Sequence, residues 1–200
     1  MEELLAAARA AEELERPEHR VAAVLAAANR FLEERGLGRL VATGGFAVEL
    51  LTGGATRTLD VDVVAEGFCA QRLLEEAVRE LRERLPTSAR GPVLPLAGAE
   101  KALDLLPPRG RRRFQPLRVD AGSYGWFYLE APEELVLRYL REHVYWGTEE
   151  ARRRVVLLLA VLGGEMRLEE LRQAAGGEDR RLLEALEEVL RLLRRRGLLG

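Results

Sequence analysis

Between Val41 and Val64 the chain reads V-A-T-G-G-F-A-V-E-L-L-T-G-G-A-T-R-T-L-D-V-D-V-V, and no other stretch restricts its fold so tightly. Asp60 and Asp62 alternate with Leu59, Val61 and Val63. In a strand, residues i and i+2 share a face, so both carboxylates point one way and their apolar neighbours point into a core. The alpha-carbons of such a pair lie roughly 7 Å apart on strand geometry. Two like charges held side by side call for a cation, and this span suits an oxygen-preferring divalent ion such as Mg²⁺.

The residues just upstream supply groups for an anion. Arg39 to Thr43 reads as a short apolar strand. Gly44-Gly45 then permits a sharp turn and a close approach of backbone to ligand, and Phe46 to Leu51 is expected to be helical. Amides exposed at that helix start would face a phosphate. Gly53-Gly54 suits a left-handed cap at the helix end, and Arg57-Thr58 leads directly into the acidic strand.

This order of strand, Gly-Gly, helix and Arg57-Thr58-Leu59-Asp60-Val61-Asp62 resembles the nucleotidyltransferase fold shared with DNA polymerase beta. It is most similar to the small bacterial minimal nucleotidyltransferases and abortive-infection type toxin domains. The resemblance covers residues 39–66 closely and 92–141 more loosely. It implies an α+β fold, with a nucleotidyltransferase-like mixed β-sheet and flanking helices over 1–130 and a C-terminal helical region over 131–200. It further implies that Gly44, Gly45, Arg57 and Thr58 position nucleotide phosphates while Asp60 and Asp62 bind metal.

The same resemblance requires a third carboxylate on a neighbouring strand. In Lys101-Ala102-Leu103-Asp104-Leu105-Leu106, Asp104 interrupts an apolar run that ends at Pro107-Pro108. Adjacent strands lie about 4.8 Å apart, close enough to bring Asp104 up to the first two. Asp120, in Leu117-Arg118-Val119-Asp120, competes for that place, although Ala121-Gly122 after it looks like the approach to a turn. Lys101 is the only lysine in the chain. The family often has a basic residue just before the third aspartate, where it meets phosphate; an accidental lysine among arginines is an equal reading.

Composition sets limits. Two hundred residues with 48% apolar content suit one domain or one and a half with a proper core. A net charge of −2 argues against a generally basic nucleic-acid-binding surface. The single cysteine, Cys69, excludes a disulfide framework or a cysteine-rich zinc site and reads as a small buried residue. Neither a signal peptide nor a membrane span is expected, so the protein reads as cytoplasmic. Arginine in place of lysine, absent isoleucine and abundant leucine, alanine and glutamate point to a GC-rich genome and a thermophile.

Helices are expected at Glu2 to Glu15, Pro17 to Arg35 and Cys69 to Leu85. The stripe Val21, Val24, Leu25, Ala28, Leu32 has helical spacing, as does Leu73, Leu74, Ala77, Val78, Leu81, Leu85. Strands are expected at Val93 to Leu96, Ala102 to Leu106, Leu117 to Asp120 and Trp126 to Leu129, giving a mixed sheet of five or six. Between them lies Arg109-Gly110-Arg111-Arg112-Arg113-Phe114, which reads equally as a phosphate or RNA grip and as solvated charge. The helix opening at Ala131-Pro132-Glu133-Glu134 resembles the family segment whose basic residue lies near the nucleotide, a place held by Arg138 or Arg141. The family then tends to add aspartates on the following helix, and this chain has none there.

Helices at 149–162, 167–175 and 179–196, broken by Gly163-Gly164 and Gly176-Gly177, have the lengths of a helix-turn-helix or winged-helix unit. DNA binding would use Arg172, Arg180 and Arg181, but Glu169, Glu170, Glu178 and Asp179 interleave with them, so DNA binding is disfavoured against a helical cap or a subunit contact. Two functions follow. In one, Asp60, Asp62 and Asp104 hold two Mg²⁺ ions about 3.5–4 Å apart, and a nucleoside triphosphate such as ATP donates its monophosphate to a hydroxyl on RNA, protein or a small molecule. In the other, the fold is a non-catalytic nucleotide-sensing or partner-binding module, with an antitoxin or a second copy as partner.

Overall fold

The computed structural model describes residues 6–7, 10–11, 13–67, 69–84, 93–95, 101–107, 110 and 112–199. Two compact units emerge. The first comprises Met1–Ala47, Arg57–Gly110 and Pro116–Leu129; the second comprises Val48–Thr56, Arg111–Gln115 and Glu130–Gly200.

The elements of the first part of the chain are α1 (Pro17–Glu33), β1 (Arg39–Ala42), α2 (Gly44–Leu51), β2 (Asp60–Glu66), α3 (Ala70–Arg84), β3 (Val93–Pro95), β4 (Ala102–Leu106), β5 (Leu117–Asp120) and β6 (Trp126–Leu129). A short 3-10 turn at Gly122–Tyr124 joins β5 to β6. The six strands form one mixed sheet in the order β3-β4-β2-β1-β6-β5. The pairs β2–β4 and β1–β6 are parallel, and β1–β2, β3–β4 and β5–β6 are antiparallel.

The period-two pattern of β2 extends across this sheet. Val61, Val63 and Ala65 are buried on one face. Register continues that face through Leu40 and Ala42 of β1, Phe127 and Leu129 of β6, and Leu103 and Leu105 of β4. Each fully buried side chain of this size contributes about 1.5–3 kcal/mol. The opposite face carries Asp60, Asp62 and Glu66 of β2, Arg39 of β1 and Tyr128 of β6. Arg39 and Glu66 form an ion pair there at 2.9 Å. Leu59, expected in the core, is instead 70% exposed, because it precedes the first paired residue of β2.

Helix α1 opens at a proline and buries Val21, Leu25 and Leu32, three members of the expected stripe; Val24 and Ala28 are half-buried. Its buried Asn29 accepts the Leu40 N–H through Oδ1 at 2.8 Å. Tyr128 donates its hydroxyl to Glu33 at 3.0 Å, a second tie between α1 and the sheet. On α3, Leu74 is buried and Leu73 half-buried, while the side chains of Ala77, Val78 and Leu81, and residue Leu85, lie outside the described set. The expected helix over Glu2 to Glu15 likewise falls mostly outside it, with Ala6, Ala7, Ala10 and Ala11 helical. Cys69 corrects its expectation: it is exposed, with φ 61°, at the turn before α3 rather than inside the helix.

The second unit contains α4 (Pro132–Trp146), α5 (Glu149–Leu162), α6 (Leu168–Glu178) and α7 (Arg180–Arg195). Gly176-Gly177 does not break α6, which runs through both residues. Gly176 faces Leu183, where a Cβ would lie 3.1 Å from Cδ2, so the small residue serves helix packing. The break falls at Asp179, whose extended backbone ends α6 and whose Oδ1 accepts the Arg181 N–H at 2.8 Å as the cap of α7. Among the described residues no helix is long and apolar enough to cross a membrane.

The side chain and backbone N–H of Arg181 hold the Asp179 carboxyl down at about 2. A carboxyl depressed in the folded state stabilises it above the unfolded value and loses that contribution as pH falls through the folded one. The melting-temperature gap between the wild type and Asp179→Ala should therefore be full at about pH 5 and narrow steadily as the pH falls from about 4 through about 2. Thermal melts followed by circular dichroism across that window check it.

Candidate active site

The parallel pairing of β2 with β4 decides where the acidic residues meet. Asp60 pairs with Ala102, Val61 with Leu103, and Asp62 with Asp104. Directly paired residues of adjacent strands share a face, so Asp104 stands beside Asp62 at about 4.8 Å between backbones. Asp60 lies two residues before Asp62 and projects to the same side. The three carboxylates expected from the sequence thus share one face of adjacent strands.

Asp120 is elsewhere. It lies on β5, at the far edge of the sheet, with β1 and β6 between β5 and β2. Three strand spacings put it at least about 14 Å from Asp62, and the register sets it level with Glu66, further along the sheet. Its Oδ1 is occupied by the Gly122 N–H at 2.8 Å, which closes the turn into β6.

The diglycine abuts this acidic face. The Thr43 N–H donates to the Asp62 carbonyl at 2.8 Å, continuing the β1–β2 ladder to the point where the chain bends. Helix α2 begins at Gly44 itself rather than at Phe46. Gly44 has φ 67°, and a Cβ there would lie 1.9 Å from Asp62 Oδ2. At Gly45 a Cβ would come 3.0 Å from Thr58 Oγ1. Only glycine therefore fits at Gly44, because the start of α2 sits directly against the carboxylate, and Gly45 leaves room for Thr58. The first amides of a helix have no partner within it, so this close approach brings N–H donors and acidic oxygens to one place.

These donors suit a hard divalent cation in type, since carboxylates are the ligands such ions prefer. In their present rotamers, no three Asp, Glu, His or Cys side chains among the described residues form a metal-holding group. Gathering the carboxylates around an ion requires rotation of side chains between staggered wells, with the strands left in place.

The expected phosphate-binding residues divide. Arg57 is exposed, and no described residue pairs with its guanidinium. Thr58 is half-buried, and its Oγ1 accepts the Asp60 N–H at 3.4 Å, shaping the entry to β2. Lys101 is 9% exposed. Its Nζ donates to the Thr58 carbonyl at 2.6 Å and lies 5.6 Å from the centre of the Phe46 ring. With Ala102 N–H donating to the Leu59 carbonyl at 2.8 Å, Lys101 fastens the start of β4 to the approach of β2.

Arg138 and Arg141 belong to the helical unit and have partners there. Arg138 pairs with Glu130 at 2.8 Å, and Arg141 meets Glu178 through both Nε and Nη2. Arg112, from the basic loop, reaches the same Glu130 at 2.6 Å. Arg113 donates to the Ala174 carbonyl at 3.0 Å, and its backbone N–H and that of Phe114 both donate to Glu134. The described half of that loop is thus sewn into the helices, while Arg109 and Arg111 lie outside the described residues. Glu130, 4% exposed, is the residue the sequence reading passed over. The available signal was an acid set between Leu129 and Ala131, both apolar, just after a strand.

Comparison of the chain with protein-family models, with curated proteins and with solved structures yields no match in any of the three.

Proposed function

We propose that the protein is a magnesium-dependent nucleotidyltransferase, in which Asp60, Asp62 and Asp104 hold the metal. One observation carries this reading: Asp62 and Asp104 are direct partners on parallel strands, with Asp60 on the same face and a glycine helix start packed against Asp62. Bound Mg²⁺ would neutralise triphosphate charge and make the acceptor hydroxyl more acidic.

The chain's own part is positioning and charge. Amides of Gly44 and Gly45 and the exposed Arg57 guanidinium are suited to phosphate oxygens. The acceptor oxygen bonds to the α-phosphorus as the bond to the bridging α–β oxygen breaks. Pyrophosphate leaves with that electron pair, and the hydroxyl proton passes through a site carboxylate to water. The acceptor is a hydroxyl on RNA, a protein or a small molecule.

A second reading, a non-catalytic nucleotide-sensing or partner-binding module, has its own support. Lys101 and Arg138, two basic groups that the resemblance assigns to phosphate, hold a backbone carbonyl and Glu130 instead. Mg²⁺ with a nucleoside triphosphate should raise the melting temperature, by about 2.7 kcal/mol of stabilisation at a hundredfold excess over Kd. Removal of the metal with a chelator should cancel the rise. If no triphosphate produces a metal-dependent rise, the transferase and the nucleotide-sensing readings both fail and only a partner-binding module is left; a rise without pyrophosphate release selects the sensing module.

A further inference from the structure

Arginines of the helical unit are ion-paired almost throughout. Arg172 binds Glu187 and Glu169, Arg180 binds Glu184, Arg181 binds Asp179, and Arg152 binds Glu188. Those contacts consume the acids Glu184, Glu187 and Glu188 of α7 itself. From Val189 to Leu199 the chain has no acidic residue and four arginines, Arg191, Arg194, Arg195 and Arg196. All four are exposed, and none meets an acidic partner among the described residues. Arg191, Arg194 and Arg195 have i, i+3, i+4 spacing and project from one side of the helix.

We infer that this end of α7 is a docking surface for the phosphodiester backbone of a nucleic acid. A guanidinium fork matches phosphate oxygens in two-point contact, and four such groups within two helical turns give a compact cationic patch on a chain whose net charge is −2. The alternative anionic surface is a membrane. A helix that inserts into one needs an exposed apolar face, and the apolar face of α7 is already covered. Leu182, Leu186, Val189, Leu190 and Leu193 are all 0–3% exposed. The arginines that the sequence singles out for DNA contact, Arg172, Arg180 and Arg181, are occupied by Glu169 and Glu187, by Glu184 and by Asp179; Arg194, Arg195 and Arg196 have no acid within four residues on either side, and the two acids just before Arg191, Glu187 and Glu188, are taken by Arg172 and Arg152.

The inference does not rest on the transferase reading, and its test omits metal and triphosphate. Fluorescence anisotropy would follow binding of a labelled RNA of about 20 nucleotides, and the DNA of the same sequence, to the full chain. Four phosphate contacts predict a slope of log K against log salt of about −3 for single strands. Replacing all four arginines, as Arg191→Gln, Arg194→Gln, Arg195→Gln and Arg196→Gln, should weaken binding by about 100-fold or more at low salt and flatten the slope. Arg153→Gln, at an exposed arginine paired with Glu150, should leave both unchanged. A circular dichroism melt of each variant confirms that it is folded. Binding of RNA, DNA or both with these losses supports the inference. It is overturned if neither strand binds the wild type, if the fourfold variant binds equally well, or if only vesicles with about 30% phosphatidylserine in phosphatidylcholine bind.

Discussion

Replacing Asp62 and Asp104 together by asparagine is expected to lower nucleotide transfer by about 10³-fold or more, measured as pyrophosphate release with each triphosphate in the presence of Mg²⁺. The magnitude follows from charge stabilisation of several kcal/mol at a metal centre, each 1.36 kcal/mol being about tenfold in rate. Asparagine keeps the size of the side chain and the room that Gly44 leaves beside it, but removes the anion that, on the proposed function, would hold the cation. Asp120→Asn is the matched control, because its carboxylate lies three strands away and closes a turn. Equal activity of the double variant and the wild type would place the chemistry elsewhere; equal loss from Asp120→Asn would mean that the pairing of β2 with β4 is not what assembles the site.

The second large effect concerns stability. Glu130→Ala should destabilise the helical unit by about 3–5 kcal/mol, since removal of one member of a buried ionic group leaves the remaining charges uncompensated. Glu130 has a side chain 5% exposed between Arg112 at 8% and Arg138 at 14%, so water cannot replace it readily. For a chain of this length the fall in melting temperature would be about 6–20 °C by circular dichroism. Glu130→Gln, which retains acceptor oxygen but not charge, should fall between the two. A melting temperature unchanged by the alanine substitution would mean that the two arginines find other acceptors at little cost.

Much of the sheet was legible because local chemistry and the final fold agree there. Ala102–Leu106 is bounded by Pro107-Pro108, and Trp126–Leu129 by a turn and by Pro132, so their ends are written in residues that cannot continue a strand. The alternation of Asp60 and Asp62 with Val61 and Val63 shows which side of β2 carries the acids. The pairing partner of Asp62 could not be read in this way. Its register with Asp104 joins residues 42 positions apart, and no local signal specifies such a long-range match. Gly176 misled because its low helix propensity made it look like a boundary, whereas its approach to Leu183 favours a small residue inside a helix; Gly44 does mark a boundary, two residues before Phe46. The basic loop, which reads equally as a phosphate grip and as solvated charge, is undecidable for a different reason. Arginines near an acidic centre in sequence suggest phosphate, but Arg112 and Arg113 are satisfied by Glu130, Glu178 and the Ala174 carbonyl, acceptors that only the folded chain brings to them.

Lys101 has a practical bearing of its own. A chain whose single ε-amine is buried against a backbone carbonyl offers acylating reagents no native lysine target, so covalent tagging at that position reports the moments when the β2–β4 entrance loosens. The rate of such tagging becomes a clock for breathing at the start of β4, readable in the mass of the peptide that carries Lys101.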